Sequence, residues 1–439
     1  QTTFCQEWLS MLTLATIKDT VTISHAPVGC ASSLTCINIF NRFGQVLRGD
    51  EPQTGKWIST NLKDSDAIHG GEENLKEAIL EADKRYSPKA IFIHSSCVSG
   101  IIGEDIDGTV RQVQNEVSAH VIPVYCDGFK SKLWASGYDG SFQGALNHLI
   151  KEPEKKQEDL VNIINPITFG RVDELEAERL LNKIGLRANF IPNFSTTEDI
   201  AQASEAALTA SLCTTFSEYF AKTLNERFSV PYTEQNLPLG LDNTDSWLRE
   251  IAGILGKDEE AEKVIKEERE RIQPKIDEIK EKLEGKTAFV SAGQSRAIGI
   301  PTILADLGIE IVGITAYHYD EVIADGFADL EKRCGNFCTN VANVQPFEQT
   351  NILNKLKPDF YFGHMGESVW AAKEGIPTTM VFNLGHLFAG YNGVVSFGSR
   401  ILNLKNNSSF SKKLSKHAKP IYRENWLDEN PFKYHKGAE

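Results

Sequence analysis

The stretch Thr20-Val21-Thr22-Ile23-Ser24-His25-Ala26-Pro27-Val28-Gly29-Cys30 decides how the chain is read. Its first five residues are mostly β-branched and run into a Pro-Val-Gly turn, the pattern of a buried strand with a sharp exit. A thiol closes the turn. The arrangement recurs downstream. Ala90–Ile93 leads through His94-Ser95-Ser96 to Cys97, and Val121–Tyr125 leads directly to Cys126. Between them, Gly71–Tyr86 repeats its apolar residues at a spacing near 3.6 and predicts a helix. Strands that alternate with helices predict a parallel sheet covered by helices.

The alternation continues past a polar stretch, Lys151–Asp159, which reads as the first boundary. A strand is expected at Leu160–Ile164, a helix at Glu174–Ile184 and a strand at Ala188–Ile191. A further helix starts at Cys213 and runs to about Phe228. The charged segment Glu259–Leu283 has its opposite charges spaced for i,i+4 pairs, the mark of a solvated helix face. A third unit opens at Lys286. It has strands at Thr287–Ser291, Ile309–Ile314, Phe360–Gly363 and Thr378–Phe382 and a helix at Ala297–Leu307. The expectation is an α/β chain of three doubly wound, Rossmann-like domains with parallel sheets, spanning residues 1–155, 156–284 and 285–439. Ligands of such sheets lie beyond the carboxyl ends of the strands, at the switch point. Cys30, Cys97, Cys126, Arg296, His364 and His386 all follow predicted strands and fall on that edge.

Composition narrows the class. The chain has 439 residues, 41% hydrophobic and 24% charged, which is too long for one domain and ordinary for a globular protein. A net charge of −14 argues against nucleic acid and against anionic membranes as partners. No apolar run is long enough for a transmembrane helix, and no basic stretch with an apolar h-region opens the chain, so a cytoplasmic protein is expected. No Gly-x4-Gly-Lys-Ser/Thr loop occurs, so ATP hydrolysis is not expected of this chain.

The eight cysteines are Cys5, Cys30, Cys36, Cys97, Cys126, Cys213, Cys334 and Cys338. Dispersed thiols in a cytoplasmic chain suggest metal or redox chemistry more than a disulfide framework, although a single cysteine is ordinarily a buried, inert residue. Cys334 and Cys338 form a Cys-x3-Cys pair without a matching second pair, a weak zinc signal. Cys36 and Cys126 read as packing residues. Cys5, Cys30 and Cys97 are too scattered for a local zinc knuckle and suit a large cluster shared between protein surfaces. Gly29, beside Cys30, lets the backbone approach such a cluster and offers it N–H groups. Glu104 and Asp105 sit where acidic residues cap a helix start, and need no catalytic role.

The surrounding words carry a resemblance. They are His25-Ala26-Pro27-Val28-Gly29-Cys30, His69-Gly70-Gly71-Glu72-Glu73, Ser96-Cys97 with Gly103-Glu104-Asp105-Ile106, and Cys126-Asp127-Gly128-Phe129. The Cys213 helix, Gly375-Ile376-Pro377 and Gly390-Tyr391-Asn392-Gly393 follow. In this order the chain resembles the nitrogenase component 1 superfamily over essentially its whole length.

The resemblance implies that Cys5, Cys30 and Cys97, with cysteines of a β-type (K) subunit, hold an interface P-cluster of the 8Fe–7S type. It implies that Cys213 anchors a second large iron–sulfur cluster, possibly free of heterometal and containing carbide, which marks an α-type (D) chain. The distal histidine of the family follows its Gly-Ile-Pro turn. A strict offset finds none here, so His386 is the nearest candidate and His364 the second. Arg296 resembles the pocket arginine that serves as counter-ion to an anionic cluster, and Arg42 is a weaker candidate of the same kind.

One departure bears on activity. Members that fix dinitrogen have a glutamine and a histidine after the Gly-Phe turn, whereas this chain has Trp134 and Tyr138. A tyrosine, with its pKa near 10, is a poor proton relay. The resemblance thus implies the α-type catalytic subunit of a nitrogenase-like reductase, most like methylthio-alkane reductase. Such an enzyme cleaves the C–S bond of small methylated thioethers. Its electrons come from a homodimeric 4Fe–4S ATPase, and the enzyme itself is a heterotetramer of two such chains with two β-type subunits. A cofactor-maturation scaffold of the E type, a divergent nitrogenase, and a metal-free sugar- or nucleotide-binding protein are the alternatives.

Overall fold

The computed structural model describes residues 5–166, 169–234, 237–319, 321, 324–342, 345–418 and 422–431. Among these, three separate sheets form, and every pairing within them is parallel. The α/β class expected from the alternating pattern is therefore what forms. By their contacts the residues fall into two compact units, one of 2–234 with 250–257, the other of 235–249 with 258–439.

The first unit holds two sheets. One contains β1 (Thr20–His25), β2 (Trp57–Ser59), β3 (Ala90–Ser95) and β4 (His120–Val124), in the order β2-β1-β3-β4. Every residue of β1 and β3 is buried, as helices on both faces require. Val21, Ile23, Ile91 and Ile93 pack with Leu75, Ile79 and Ala82 of the Glu72–Tyr86 helix, whose apolar spacing foretold that face. β2 escapes a sequence reading because it is three half-buried residues long.

The other sheet contains β5 (Gln157–Asn165), β6 (Arg187–Pro192) and β7 (Ala206–Ser211), in the order β6-β5-β7. β5 begins inside the polar stretch that reads as a boundary. Its exposed start is supported across the pair, where Arg187 Nε donates to Asp159 Oδ2 at 2.6 Å. β7, Ala-Ala-Leu-Thr-Ala-Ser, has little intrinsic strand preference and is extended by pairing with β5.

The second unit is built on β8 (Thr287–Ala292), β9 (Glu310–Ala316), β10 (Cys338–Val341), β11 (Phe360–Gly363) and β12 (Thr378–Met380), in the order β10-β9-β8-β11-β12. Phe289 and Tyr361 pack with Ile352, Leu353, Ala371 and Ile376. The Asp258–Leu283 helix buries one stripe, including Val264, Ile272, Ile276 and Leu283, and turns its charged residues outward except Glu268, which is buried and paired with Arg271. Arg269 of that helix donates to Asp245 Oδ2 at 2.6 Å, and the buried Tyr391 hydroxyl donates to Asp245 Oδ1 at 2.6 Å. This chain of bonds fixes the start of the Gly390–Asn406 helix. β12 is shorter than the expected Thr378–Phe382 run, and Phe382 lies beyond it.

In each sheet the order reverses once: between β1 and β3, between β5 and β7, and between β8 and β11. These are the three switch points at which a ligand is expected.

Candidate metal-cluster site

The first switch point gathers three thiols. Cys30 lies in the short Val28–Ala31 helix after β1, and Cys97 opens the Cys97–Ile102 helix after β3. Cys5 is the residue just before the Gln6–Leu14 helix. Ser96 fixes the Cys97 turn. Its Oγ accepts from the Ser99 N–H, and its own N–H donates to Ser99 Oγ at 2.8 Å. The loop after β4 closes the group. A Cβ on Gly128 would lie 3.1 Å from both Cys97 Sγ and Cys5 Cβ. Backbone thus fills the space between two sulfurs, leaving no room for a side chain there.

All three thiols are at least partly exposed. Around them Val28 is 63%, Ile101 72% and Phe129 53% exposed. Among the described residues no set of three or more Cys, His, Asp or Glu is tight enough for a single ion. Sulfurs spread in this way around a glycine-lined space suit a cluster of several irons. Gly128→Val is expected to push the two sulfurs apart and to lower iron retained per chain at this site by half or more. Iron and sulfide assay after anaerobic purification checks it.

Polar groups are buried under the thiols. The Glu7 carboxyl is 2% exposed and accepts from Ser24 Oγ at 3.3 Å. Burial pushes its pKa up to about 7, against hydrogen bonds from Ser24 and the Cys30 thiol that lower it. Burial likewise pushes the Cys30 thiol to about 12, with the Glu7, Cys5 and Cys97 charges adding to the effect, and raises Cys5. Deprotonating these thiols in the absence of a metal is therefore unfavourable.

Asp105 caps the Ile106–Val113 helix, as expected, accepting from the Gly108 N–H at 2.8 Å. Glu104 does something else. Its carboxylate is buried, meets His25 Nε2 at 2.6 Å and accepts the Gly71 N–H. His25 and Glu104 thereby tie together the Cys30, Gly71 and Cys97 segments. The pairing spans 79 positions, and no local spacing announces it.

Cys126 is buried, as expected for a packing residue, with Sγ 3.7 Å from Nδ1 of His94. Burial drives the His94 pKa down to about 3, so that imidazole is neutral. Cys36, in contrast, is exposed and not a packing residue. The Leu34–Leu47 helix buries Leu34, Ile37, Asn41 and Gly44, and Cys36 falls off that stripe. Arg42 is on the exposed side of the same helix.

Cys213 stands at the second switch point. It is the cap position of the Thr214–Phe228 helix, beyond the end of β7, and is buried. Its N–H donates to Ser211 Oγ at 2.8 Å. Tyr138, in the Ser136–His148 helix, packs its ring 4.9 Å from that of Phe216 in the Cys213 helix. Trp134 lies just before the Tyr138 helix. One side of the Tyr138 helix rests on the Cys5 helix, where Ser10 and Ser141 hydroxyls meet at 2.8 Å. The other side rests on the Cys213 helix, where Phe142 and Phe220 rings lie 4.7 Å apart. Three packed helices thus connect Cys5 with Cys213.

The third switch point, in the second unit, carries Arg296 after β8 and His364 after β11. The Arg296 guanidinium lies 5.7 Å from the Phe382 ring centroid, and His364 stacks on the same ring at 5.1 Å. Arg296 is buried in the first turn of the Gln294–Asp306 helix. A cation there opposes the helix dipole, at a cost of about 0.3–1 kcal/mol. Burial, then the Arg296 charge, lowers the His364 pKa and keeps the ring neutral at pH 7. Tyr317, after β9, meets His364 edge-on at 6.3 Å and donates to Glu367 Oε2 at 2.8 Å. Ser291 also donates to Glu367 Oε2, at 2.7 Å. His386 lies six residues past β12, and burial followed by the Arg400 charge lowers its pKa. Cys334 and Cys338 are half-exposed thiols, raised chiefly by burial, and no metal-holding group among the described residues contains them.

Comparison with known proteins follows the same outline. The family described as nitrogenase component 1 type oxidoreductase matches residues 5–406. The chain is 29% identical to the nitrogenase iron-molybdenum cofactor biosynthesis protein NifE of Methanococcus maripaludis, over 88% of this chain and 79% of that protein. It is 26% identical to the nitrogenase molybdenum-iron protein alpha chain of Methanosarcina barkeri, over 88% and 82%. The solved nitrogenase Cp1 at pH 5 superposes with a TM-score of 0.77 at 25% identity, covering 95% of this chain and 90% of that one. No helix among the described residues is long and apolar enough to cross a membrane.

Proposed function

This chain belongs to the nitrogenase component 1 type oxidoreductase family, and on that premise we propose that it is the α-type catalytic subunit of a nitrogenase-like reductase. The observation that carries the reading is Cys213, a buried thiol capping a helix at the second switch point, with Tyr138 packed against that helix. Cys5, Cys30 and Cys97 would hold an interface cluster with cysteines of a β-type (K) subunit. The glycine-lined space at Gly128 and the three-thiol donor set fit it. Cys213 would hold a second large cluster. Such clusters, when bound, supply one-electron transfer at tuned potentials.

The residues of the chain have separate tasks. Glu7, its pKa raised by burial to about 7, would hold or release a proton under the thiols near neutral pH, and Arg296 would offer fixed positive charge to an anionic cluster. His364 is preferred to His386 as the histidine ligand. It directly follows β11 beside the switch point, shares Phe382 with Arg296, and has its pKa lowered toward the neutral form in which imidazole binds iron. One domain per sheet, with divisions near residues 155 and 284, is the matching organisation.

For substrate we propose small methylthio-alkanes. The reaction is R–S–CH3 with two electrons and two protons giving R–H and CH3SH. The electrons come from a homodimeric 4Fe–4S ATPase partner. Trp134 and Tyr138 would favour apolar thioether groups over histidine-assisted protonation of dinitrogen. A Trp134→Gln, Tyr138→His double variant is then expected to lose most thioether turnover. An unchanged substrate range would count against these assignments.

A second reading, a maturation scaffold, is favoured by the 29% identity to NifE. Anaerobic iron and sulfide analysis of the co-purified complex, with and without Cys213→Ala, tests the shared basis. Iron is expected to fall by about one large cluster per α-type chain. Unchanged iron would sink the second site. Thioether consumption with ATP and the partner then separates reductase from scaffold, which instead passes its cluster to another protein.

A further inference from the structure

At the end of β1 opposite the thiols, the first unit holds a cavity of about 290 Å³. One side is the turn that carries the chain from the Gln6–Leu14 helix into β1, and another is the carboxyl-terminal half of the Leu34–Leu47 helix. The segment 50–56 supplies the rest. That segment is tied in place. The Asp50 N–H donates to the Gln45 carbonyl at 3.0 Å, the Gln53 N–H to Gln45 Oε1 at 2.6 Å, and the Gly55 N–H to Asn38 Oδ1 at 2.7 Å.

The buried lining is rich in acceptors. Thr16, Thr20 and Asn41 are 2%, 5% and 4% exposed. Each donates to a backbone carbonyl: Thr16 Oγ1 to Thr13 at 3.1 Å, Thr20 Oγ1 to Ile17 at 3.1 Å, and Asn41 Nδ2 to Ala15 at 3.0 Å. Neither threonine oxygen receives a hydrogen bond among the described residues, and Asn41 Oδ1 receives only Gln45 Nε2, at 3.5 Å. A hydroxyl or amide oxygen can accept two bonds, so three buried oxygens are short of donors. The field has the matching sign. Both helices end at the cavity, where their dipoles are negative. Arg48, which caps the second helix, donates instead to Glu174 Oε1 at 2.6 Å and does not line the cavity. Among the lining side chains the charges cancel. Lys18 pairs with Asp50 at 3.4 Å, and Glu51 and Lys56 have no ion pair among the described residues.

We propose that this cavity binds a small protonated amine, with the ammonium among Thr16, Thr20 and Asn41 and the alkyl chain against Ala15 and Ile17. An ammonium has three N–H donors and no acceptor, which matches three oxygens that lack donors. Its charge suits the two helix ends. The set does not suit a metal ion, since no group of three Cys, His, Asp or Glu among the described residues could hold one. The rim accommodates either of two sources. Lys56 is placed for the carboxylate of an amino acid, and Glu51 for the second ammonium of a diamine. The proposal goes beyond the reductase reading and stands without it, because no cysteine takes part.

The test is calorimetric titration at pH 7 into the full chain, in the assembly in which it purifies. The probes are 1,4-diaminobutane and L-alanine. Their counterparts are butane-1,4-diol and L-lactate, which carry hydroxyls in place of ammonium. At least one amine is expected to bind, about tenfold or more tighter than its counterpart, as a charge-assisted hydrogen bond requires. The amine that binds identifies the source. Thr20→Val keeps the shape, removes one oxygen and is expected to weaken the amine about tenfold. Glu116→Gln, at an exposed site off the cavity, should leave binding as it was. If Thr20→Val does not fold, Thr16→Val takes its place with the same expected loss, and the comparison of amine with alcohol needs no variant. The assignment is overturned if neither amine binds or if the alcohol binds as tightly. Displacement of the amine by an equal concentration of potassium chloride, or full affinity in a folded threonine variant, also overturns it.

Discussion

Gly393→Ala is expected to destabilise the second unit by about 3 kcal/mol or more, near the upper end for overpacking. The Gly390–Asn406 helix begins two residues after Phe388, and its first turn approaches the Phe388 backbone. A Cβ at position 393 would fall well inside contact distance of the Phe388 carbonyl carbon and oxygen. The obstacle is backbone, so a rotamer change cannot relieve it. The helix is also held from its other side, where Tyr391 is fully buried and bonded to Asp245. Either that bond or the Phe388 position must give. Loss of Phe388 from its place would release Arg296 and Arg400, which both rest on its ring. Urea unfolding of the variant beside wild type measures the effect, and a midpoint unchanged within error would refute it. The glycine belongs to the Gly390-Tyr391-Asn392-Gly393 word that helped carry the family resemblance. Its physical reason is this close approach to the Phe388 backbone.

The second large effect is expected at Glu7. Its folded pKa is raised from the usual 4.5 to about 7. A raised carboxyl favours the folded state fully below pH 4.5. That advantage is lost as pH rises through 7, so cluster-free protein weakens across this window. The rise corresponds to about 3 kcal/mol at pH 8. Glu7→Gln keeps the size and stays neutral. It should match wild type at pH 4.5, exceed it in urea midpoint at pH 8, and flatten the profile between. Parallel profiles for the two proteins would show that the carboxyl ionises without cost.

What could be read from residue order was what local periodicity records. The buried strands before Cys30 and Cys97, the Glu72–Tyr86 helix and the start of the Cys213 helix are all properties of short windows. β7 was not legible, because an alanine-rich segment becomes a strand only through β5 beside it. The His25–Glu104 bond was hidden for the same reason, being made between segments far apart in the chain. Glu104 was read as a cap because its position suits one, and only packing turns its carboxylate toward His25.

Val28, Ile101 and Phe129 stand in water beside the three thiols. Apolar side chains at that exposure make a chain prone to self-association when it is produced alone. Pairing with another polypeptide would come early, before the sulfurs meet oxygen and before the surface finds copies of itself. On the proposed α-type reading, expression together with a β-type subunit, at low temperature and without air, is expected to keep the protein soluble. A lone chain should then elute in the void volume of a sizing column, and return to a defined size when that proposed subunit is supplied.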